Sequence, residues 1–562
     1  MTWGKRRALV IFFALGVLVL IVWAAFSGNR ISSKSVLVLE LNGEIEEQRS
    51  NGLLSALNGN YTPVQHEIVD SIETAKNDPR ITGLVVRIGP LETGWAKLEE
   101  IRSRIIGFRE SRKPSICFLG YDGIGNPEYY LASACDQVWL VPTAPVQVRG
   151  MMAGALFYRG ALDKLKIVPN MYHIGDYKSF SNQYTEKKFT PAHKEETESL
   201  LHGIYDQYVT ETSQARKMDR AQFDSLVQQG PFLSQEALDH KLVDKLAYWD
   251  DVQQYFDRKN GDWLPVDPAE YHKEIKNNGS EEIAVVYATG TIVSGDSGNG
   301  PLDGALMGGD TVSADLRSAR NDSGIKAIIL RVDSGGGSAL ASEVMRHELL
   351  LAKKQKPVVI SMSDVAASGG YWIAMSANKI VAEPNTITAS IGVVLGKMNI
   401  SGLYGMLGLS TDFVTTSENA SLFSSQQDFT PAQRQAILKG MQETYSNFTR
   451  GVAKGRNISV EAVDKIGQGR VWTGAQGKGL GLVDELGGLD RAIEISKQLA
   501  HIPSHASVRL VRFPEERSFL EMLFSRERPQ LVRSSTIQDQ LRLFKRISEP
   551  IQARIPFDLQ IR

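Results

Sequence analysis

This chain contains few histidines and cysteines, and its net charge is close to zero. Its 562 residues include nine histidines and two cysteines, and the formal net charge is −1. No Cys/His cluster has the spacing of metal ligands, so we expect no metal ion and no other cofactor. The near-zero charge argues against a nucleic-acid partner. Between residues 283 and 500 the only histidine is His347, which we place on the exposed side of a predicted helix.

The two cysteines, Cys117 and Cys135, leave two possibilities open. They form a disulfide if the protein is exported, because oxidising compartments favour such bonds. They are instead two buried thiols if they only pack the interior, since Cys117 lies in an apolar strand and Cys135 in a predicted helix.

What the chain does contain is a long internal repeat. Residues 75–88 read AKNDPRITGLVVRI and residues 319–332 read ARNDSGIKAIILRV, at an offset of 244. Further matching segments follow at offsets of 242 and 240, namely 129–132 with 371–374, 189–192 with 429–432, and 242–244 with 482–484. A period this long marks a duplicated domain rather than a solenoid repeat.

Each copy alternates apolar strands with helices, which predicts an α/β fold with largely parallel sheets. Residues 258–282 are polar and contain two Asn-Gly turn signals, so we place a linker there. The chain then divides into a membrane anchor (1–30), a first repeat (31–257), the linker (258–282), a second repeat (283–500) and a C-terminal extension (501–562). Amphipathic pieces of the extension are expected to cover its own domain, a neighbouring subunit or a membrane face.

The two copies differ most after one strand. In the second copy a predicted strand at 328–332 runs into residues 333–338, which read DSGGGS, whereas residues 89–94 of the first copy read GPLETG. Consecutive glycines let backbone N–H groups approach a ligand, and a helix beginning near Ala339 directs its positive end toward them. The turn is therefore either an oxyanion hole or a plain connection from strand to helix.

A second difference places a serine in a turn of small residues. Residues 364–372 read DVAASGGYW, between a predicted strand and a predicted helix, and Ser368 corresponds to Asn126 of the first copy. Such a serine is either a nucleophile, with the Gly369 N–H directed at the group it attacks, or an ordinary helix N-cap.

A nucleophilic serine needs a neighbour that accepts its proton. With His347 expected in solvent, the alternative is a lysine held neutral by burial. The candidate is Lys178, which stands among aromatic and small residues of the first copy where the second copy has Glu418. Unless Lys178 is merely a solvated charge, the nucleophile of one copy and the base of the other form a single site.

These motifs carry a family resemblance. Residues 364–371, the glycine turn before them and residues 175–179 (GDYKS) resemble the long, duplicated form of bacterial signal peptide peptidase A, also called protease IV, and the resemblance extends from about residue 36 to residue 500. It implies two tandem domains of the Clp protease/crotonase fold, with Ser368 as nucleophile and Lys178 as general base. It also implies that Ser390 orients the lysine amine, although Ser390 is otherwise an ordinary turn hydroxyl.

The resemblance further implies a substrate and an assembly. The substrates would be extended apolar peptides, namely signal peptides left in the membrane after export, and the subunits would form a homo-oligomer, a tetramer. Where the family's turn usually has proline, this chain has Gly335, which leaves the turn less stiff. The oxyanion donors are then the backbone N–H groups of Gly369, Gly336 and Gly337.

The N-terminus predicts a location. Basic residues at 5–7 precede an uncharged stretch at 8–26, which is long enough to cross the bilayer as a helix. The basic residues predict a cytoplasmic N-terminus, so the rest of the chain lies on the periplasmic side of a bacterial inner membrane, in contact with lipid. A removable signal peptide, with a weak cleavage site at 25–27, is the alternative.

The main hypothesis is thus a membrane-anchored serine endopeptidase with a Ser/Lys dyad that degrades cleaved signal peptides. Two other functions remain open. A crotonase-like acyl-transfer enzyme would use similar backbone donors but would need a compartment that contains CoA. A non-catalytic membrane scaffold is the second alternative, since duplicated folds can lose activity.

Overall fold

The computed structural model describes residues 31–48, 62–275, 279–300, 304–514, 552–554 and 560–561. The predicted membrane segment at 8–26 and the alternative cleavage site lie outside these ranges. Within the described ranges, no helix combines the length and the apolar character needed to cross a bilayer.

The first copy is built on a parallel sheet of six strands. In spatial order, the strands are Lys245–Leu246, Gln137–Leu140, Ser115–Leu119, Ile81–Leu91, Ser35–Gly43 and Pro265–Val266. Alternate residues of one strand pack into different cores: Leu37 and Leu39 lie in one, and Val36 and Val38 in the other. Helices therefore cover both faces of the sheet, which is why its central strands carry apolar residues on both sides.

The second copy repeats this design in a sheet of eight strands. Along the main path the strands are Val471–Thr473, Ile387–Ala389, Val358–Ala367, Ile325–Ser334, Glu281–Thr289 and Val508–Phe513, with Lys379–Ala382 and Glu485–Leu486 branching from Val358–Ala367. All pairs are parallel except Ile387–Ala389 with Val471–Thr473. The α/β architecture and the largely parallel sheets predicted from the sequence are confirmed.

The helices reproduce the duplication in their lengths. Gln65–Asn77 and Gly309–Asn321 are both 13 residues long, and Trp95–Arg109 and Ala339–Lys353 are both 15. Among the described residues, the remaining α-helices of the first copy and the expected linker are Asn126–Ala132, Arg159–Lys164, Asn182–Thr185, Pro191–Ala215, Arg220–Gln229, Ser234–Asp239, Trp249–Asn260 and Pro268–Glu274. Those of the second copy are Gly369–Ala374, Ser401–Met406, Pro431–Arg456, Val460–Ile466, Gly474–Gly479 and Leu489–Leu499.

The matching segments at 189–192 and 429–432 both start a long helix. Thr190 and Thr430 each accept a hydrogen bond from the backbone N–H three residues later, and each is followed by a proline in the first turn. This combination of N-cap and proline favours helix initiation. The repeated motif therefore has a structural cause in both copies.

A third sheet joins the two copies. Its strands, in spatial order, are Gly298–Gly300, Gly304–Gly308, Thr291–Val293, Gly336–Ser338, Gln552–Arg554, Val393–Asn399 and Val168–Ile174. Val168–Ile174 belongs to the first copy and pairs antiparallel with Val393–Asn399 of the second over seven residue pairs. Two further strands, Ala153–Gly154 and Gln560–Ile561, form a small antiparallel pair.

The segments outside the two expected repeats also contribute to the sheets. In the expected linker, Pro265–Val266 pairs with Ser35–Gly43, and the helix Pro268–Glu274 buries Tyr271 in the core of the first copy. In the C-terminal extension, Val508–Phe513 pairs with Glu281–Thr289. Both segments therefore complete the edge of a sheet.

The structure shows whether the two cysteines are bonded. Cys117 and Cys135 form a disulfide, with their Cα atoms 5.8 Å apart. Both residues are buried in the core of the first copy. Of the two possibilities left open by the sequence, the bonded pair is the one observed.

Candidate active site

Lys178 of the first copy and Ser368 of the second lie in direct contact. The Lys178 Nζ is 2.7 Å from the Ser368 Oγ, and both residues have no exposed surface. The two residues are 190 positions apart in the sequence, and the sheet shared between the copies brings them together.

Ser368 lies between the strand Val358–Ala367 and the helix Gly369–Ala374. Its φ is 55°, in a region that residues with a side chain rarely adopt. The Ser368 N–H donates to the carbonyl oxygen of Ala389 at 2.7 Å, which holds this elbow in place. The Ser368 hydroxyl makes no capping hydrogen bond to the helix, so it is available to the lysine instead.

The Lys178 segment is held by the second copy. After the strand Val168–Ile174, the Tyr177 N–H donates to the carbonyl oxygen of Gln468 at 2.8 Å. Gly469 then packs directly on the lysine, because a Cβ added to Gly469 would lie 2.5 Å from the Lys178 Cβ. Only glycine fits this position, and its φ of +80° also favours glycine.

Ser390 is the other contact of the lysine amine. The Lys178 Nζ lies 2.9 Å from the Ser390 Oγ and 3.1 Å from the Ser390 carbonyl oxygen. The Ser390 hydroxyl donates to the carbonyl oxygen of Gly469 at 3.2 Å. A neutral amine has two N–H groups and one lone pair. If the N–H groups point to the two Ser390 oxygens, the lone pair faces the Ser368 hydroxyl.

Burial makes a neutral amine accessible near physiological pH. Removal from water lowers the pKa of Lys178 to about 7, and the nearby Glu196 opposes this shift. An exposed lysine has a pKa near 10.4 and is almost fully protonated at neutral pH. The buried Lys178 is therefore suited to accept a proton from Ser368.

The glycine turn lies beside the serine elbow. A Cβ added to Gly369 would lie 3.1 Å from the Gly336 Cα. Gly336 and Gly337 have φ values of 101° and 152°, so both need glycine. The Gly336 N–H donates to the Ser334 Oγ at 3.1 Å. That donor is therefore occupied in this structure, although the sequence suggested it for the oxyanion hole.

An extended strand lies next to this turn. Gln552–Arg554 pairs antiparallel with Gly336–Ser338 on one side, and Gln552 pairs with Val394 on the other. The chain thus places a segment of its own between the glycine turn and the strand Val393–Asn399. We call this position, between Gly336–Ser338 and Val393–Asn399, the strand slot.

A buried ion-pair network joins the two copies behind the site. The Lys97 amine of the first copy contacts Asp333 at 2.9 Å and Asp364 at 3.5 Å. Asp364 also accepts hydrogen bonds from the backbone N–H groups of Gly94 and Lys97. Because Asp333 begins the glycine turn and Asp364 begins the serine elbow, one lysine of the first copy fixes both.

Lys97 and Glu196 were not predicted as functional residues from the sequence. Each lies on a helix, where a charged side chain is usually solvated, yet both are buried. Comparison of the two copies does not single out Glu196, because the exposed Glu195 and Glu198 also lack a carboxylate at the corresponding positions of the second copy. The prediction that His347 is exposed is confirmed.

In the first copy, the position that corresponds to Ser368 is closed. The Asn126 side chain donates to the Arg149 carbonyl oxygen at 2.8 Å and accepts from the Arg149 N–H at 3.1 Å. Both ends of the amide are thus used by one backbone unit. Asn126 therefore has a structural role where the second copy has an elbow serine.

Comparison with known proteins identifies the family of this chain. The model of peptidase family S49 matches residues 108–261 and 351–503, once in each copy. The chain is 33% identical over 515 residues to the chloroplastic serine protease SPPA of Arabidopsis thaliana, covering 89% of this chain and 74% of that protein. It is 33% identical over 533 residues to Protease 4 of Salmonella typhi, covering 89% of this chain and 84% of that protein.

A shorter relative matches one part of the chain. The putative signal peptide peptidase SppA of Enterococcus faecium is 32% identical over 184 residues, covering 33% of this chain and 54% of that protein. The long relatives match nearly the whole chain, and the family model matches it twice. This chain therefore belongs to peptidase family S49, in its duplicated form, and is a serine peptidase.

Proposed function

We propose that this protein is an endopeptidase in which Ser368 is the nucleophile and Lys178 the general base, and that it degrades cleaved signal peptides. One observation carries the proposal: the Lys178 Nζ lies 2.7 Å from the Ser368 Oγ, with both residues fully buried. Burial of a lysine without a carboxylate in direct contact is costly. A role as general base explains why Lys178 is buried, because the amine must be neutral to accept a proton and burial favours the neutral form.

In the proposed reaction, neutral Lys178 accepts the Ser368 hydroxyl proton while the Ser368 Oγ attacks the peptide carbonyl carbon. The tetrahedral intermediate collapses as Lys178 transfers that proton to the leaving amine, and an acyl-enzyme remains. Lys178 then accepts a proton from water, whose oxygen attacks the ester. On collapse the proton returns to the Ser368 Oγ, and the enzyme is restored.

The oxyanion needs backbone donors close to the serine. We assign this role to the N–H groups of Gly369, which follows the nucleophile, and Gly337. Gly336 is the weaker candidate because its N–H donates to Ser334. Removal of one such donor from an oxyanion hole typically costs about 3 to 4 kcal/mol of transition-state stabilisation.

The strand slot supports a peptide substrate in extended form. Gln552–Arg554 pairs with Gly336–Ser338 beside the serine elbow, so the slot accepts a β-strand by main-chain hydrogen bonds. A substrate strand in the same position would lie next to Ser368. Recognition through the main chain suits signal peptides, which share apolar character rather than a single sequence.

The location and assembly are proposed from the sequence. The basic residues at 5–7 and the apolar stretch at 8–26 support a single anchor in the bacterial inner membrane, with both repeats on the periplasmic side. The disulfide Cys117–Cys135 fits an oxidising compartment. The resemblance adds the Clp protease/crotonase fold and a homotetramer that restricts access to extended peptides.

A serine-directed fluorophosphonate probe tests the dyad. Wild-type protein should be labelled, and both Ser368→Ala and Lys178→Ala should lose labelling and peptidase activity. Lys188→Ala is the matched control, because Lys188 is exposed and lies only ten positions from Lys178. Labelling that persists in Lys178→Ala would contradict the proposed base. An unlabelled, inactive wild type would instead favour a scaffold.

A further inference from the structure

A buried carboxylate next to the lysine has no part in the reaction described so far. Glu196 lies on the helix Pro191–Ala215 and has no exposed surface. One of its carboxylate oxygens accepts from the Ser179 hydroxyl at 2.9 Å, and the other accepts from the Val471 N–H at 2.9 Å. Ser179 belongs to the first copy and Val471 to the second, so Glu196 connects them.

Both partners of Glu196 are adjacent to the site. Ser179 directly follows Lys178. Val471 follows Arg470, whose carbonyl oxygen accepts from the Ser390 N–H at 2.9 Å. Gly469, one residue earlier, packs on Lys178 and accepts from the Ser390 hydroxyl. A single carboxylate therefore holds the segment that carries the lysine against the segment that holds Ser390.

The second copy lacks this arrangement. At the offset of 240, Glu196 corresponds to Ala436, Ser179 to Asn419 and Lys178 to Glu418. Lysine, serine and carboxylate are thus all found in one copy and all absent from the other. A general need of the fold would place a carboxylate in both, so the difference favours a role that is tied to the lysine.

The charges that face Glu196 are few. Burial raises the pKa of Glu196 to about 8, and this rise is opposed first by the hydrogen bonds from Val471 and Ser179 and then by the charges of Lys178 and Arg470. Arg470 itself pairs with Glu195 at 2.8 Å. Ionised Glu196 favours the protonated form of Lys178, but Glu196 is largely uncharged at the pH where Lys178 titrates. Its two hydrogen bonds, rather than its charge, therefore carry its effect.

We propose that Glu196 is a positioning residue of the Ser/Lys site, which clamps the lysine segment of the first copy to the serine-bearing copy. This inference rests on the proposed roles of Ser368 and Lys178. Glu196 itself touches neither substrate nor Ser368 in the proposed reaction. Its effect reaches the chemistry through the placement of Lys178.

Two substitutions separate placement from charge. Glu196→Ala removes both hydrogen bonds, and kcat should fall by up to about a hundredfold with little change in KM, because small displacements of a base are costly. Glu196→Gln keeps both contacts, since its oxygen can accept from Val471 and its amide can donate to the Ser179 oxygen. This variant should recover most of kcat and leave the acidic limb of the pH–rate profile in place, because burial raises the pKa of Glu196 to about 8 and the group is already largely uncharged where Lys178 titrates.

Two further variants serve as controls for the Glu196 substitutions. Glu198→Gln, on the exposed side of the same helix, should match wild type. Ser179→Ala removes one of the two hydrogen bonds and should give an intermediate loss, so a result remains if Glu196→Ala fails to fold. Wild-type kcat in Glu196→Ala or Ser179→Ala overturns the proposal, and so does a Glu196→Gln variant that loses as much kcat as Glu196→Ala. Activity that persists in Lys178→Ala, measured in parallel, would show that the proposed base itself is wrong.

Discussion

Lys97 of the first copy lies 2.9 Å from Asp333 of the second, and this ion pair is almost entirely shielded from water. It fixes the start of the glycine turn to a helix of the other copy. The same amine lies 3.5 Å from Asp364, at the start of the serine elbow. The duplication is therefore more than a repetition of structure, because each copy supports the part of the site that the other carries.

Replacement of Lys97 should destabilise the fold. Lys97→Met leaves Asp333 and Asp364 buried together without a counter-charge, and removal of one partner from a buried pair typically costs about 3 to 5 kcal/mol. Chemical denaturation of the variant should show this loss in the free energy of unfolding. Lys326→Met is the control, because Lys326 is half-exposed and its contact with Glu281 is long, at 4.0 Å. A change of less than 1 kcal/mol in Lys97→Met would contradict a structural role for the pair.

Gly469 should tolerate no side chain. In Gly469→Ala the new Cβ would lie 2.5 Å from both the N and the Cβ of Lys178, and the φ of +80° adds strain. We expect at least about a hundredfold loss of kcat/KM from the displaced amine. The measurement is steady-state cleavage of a fluorogenic peptide. Gly479→Ala is the control, since nothing lies within 4 Å of a Cβ there, and its activity should match that of wild type.

The pH dependence follows from the burial of Lys178. Burial lowers its pKa to about 7, so the amine is neutral above this value and protonated below it. Since only the neutral amine can accept the Ser368 proton, kcat/KM should rise as the pH increases through about 7 and then level off. A rate profile between pH 5 and 9 measures this directly. A flat profile would contradict lysine as the base.

The meeting of Lys178 and Ser368 could be predicted because the two copies are complementary. Ser368 corresponds to Asn126 and Lys178 to Glu418, so neither copy has both groups. Comparison of the two copies predicted which residues would meet, but not the structural contact that brings them together. Val168–Ile174 pairs with Val393–Asn399, and strand pairing between copies depends on how the copies face each other, which apolar periodicity does not encode.

The roles of the buried charged residues Lys97 and Glu196 could not be predicted from the sequence, for a different reason. Lys97 and Glu196 lie on helices, where most charged residues face solvent. Their burial results from contacts with the other copy, at Asp333 and at Val471. Only the three-dimensional arrangement distinguishes them from solvated residues.

The strand slot leads to a prediction about the C-terminal segment. Gln552–Arg554 pairs with Gly336–Ser338, and Gln552 with Val394, where we propose that substrate binds. A chain that ends at Pro514 should therefore bind peptide more tightly, with a lower KM and faster fluorophosphonate labelling of Ser368. In the full-length chain, Ala553→Pro should act in the same direction, because proline cannot donate to a strand ladder. If KM and the labelling rate stay unchanged in both variants, Gln552–Arg554 does not compete with substrate. Removal of a competing segment would leave the strand slot free for peptide and would change both quantities.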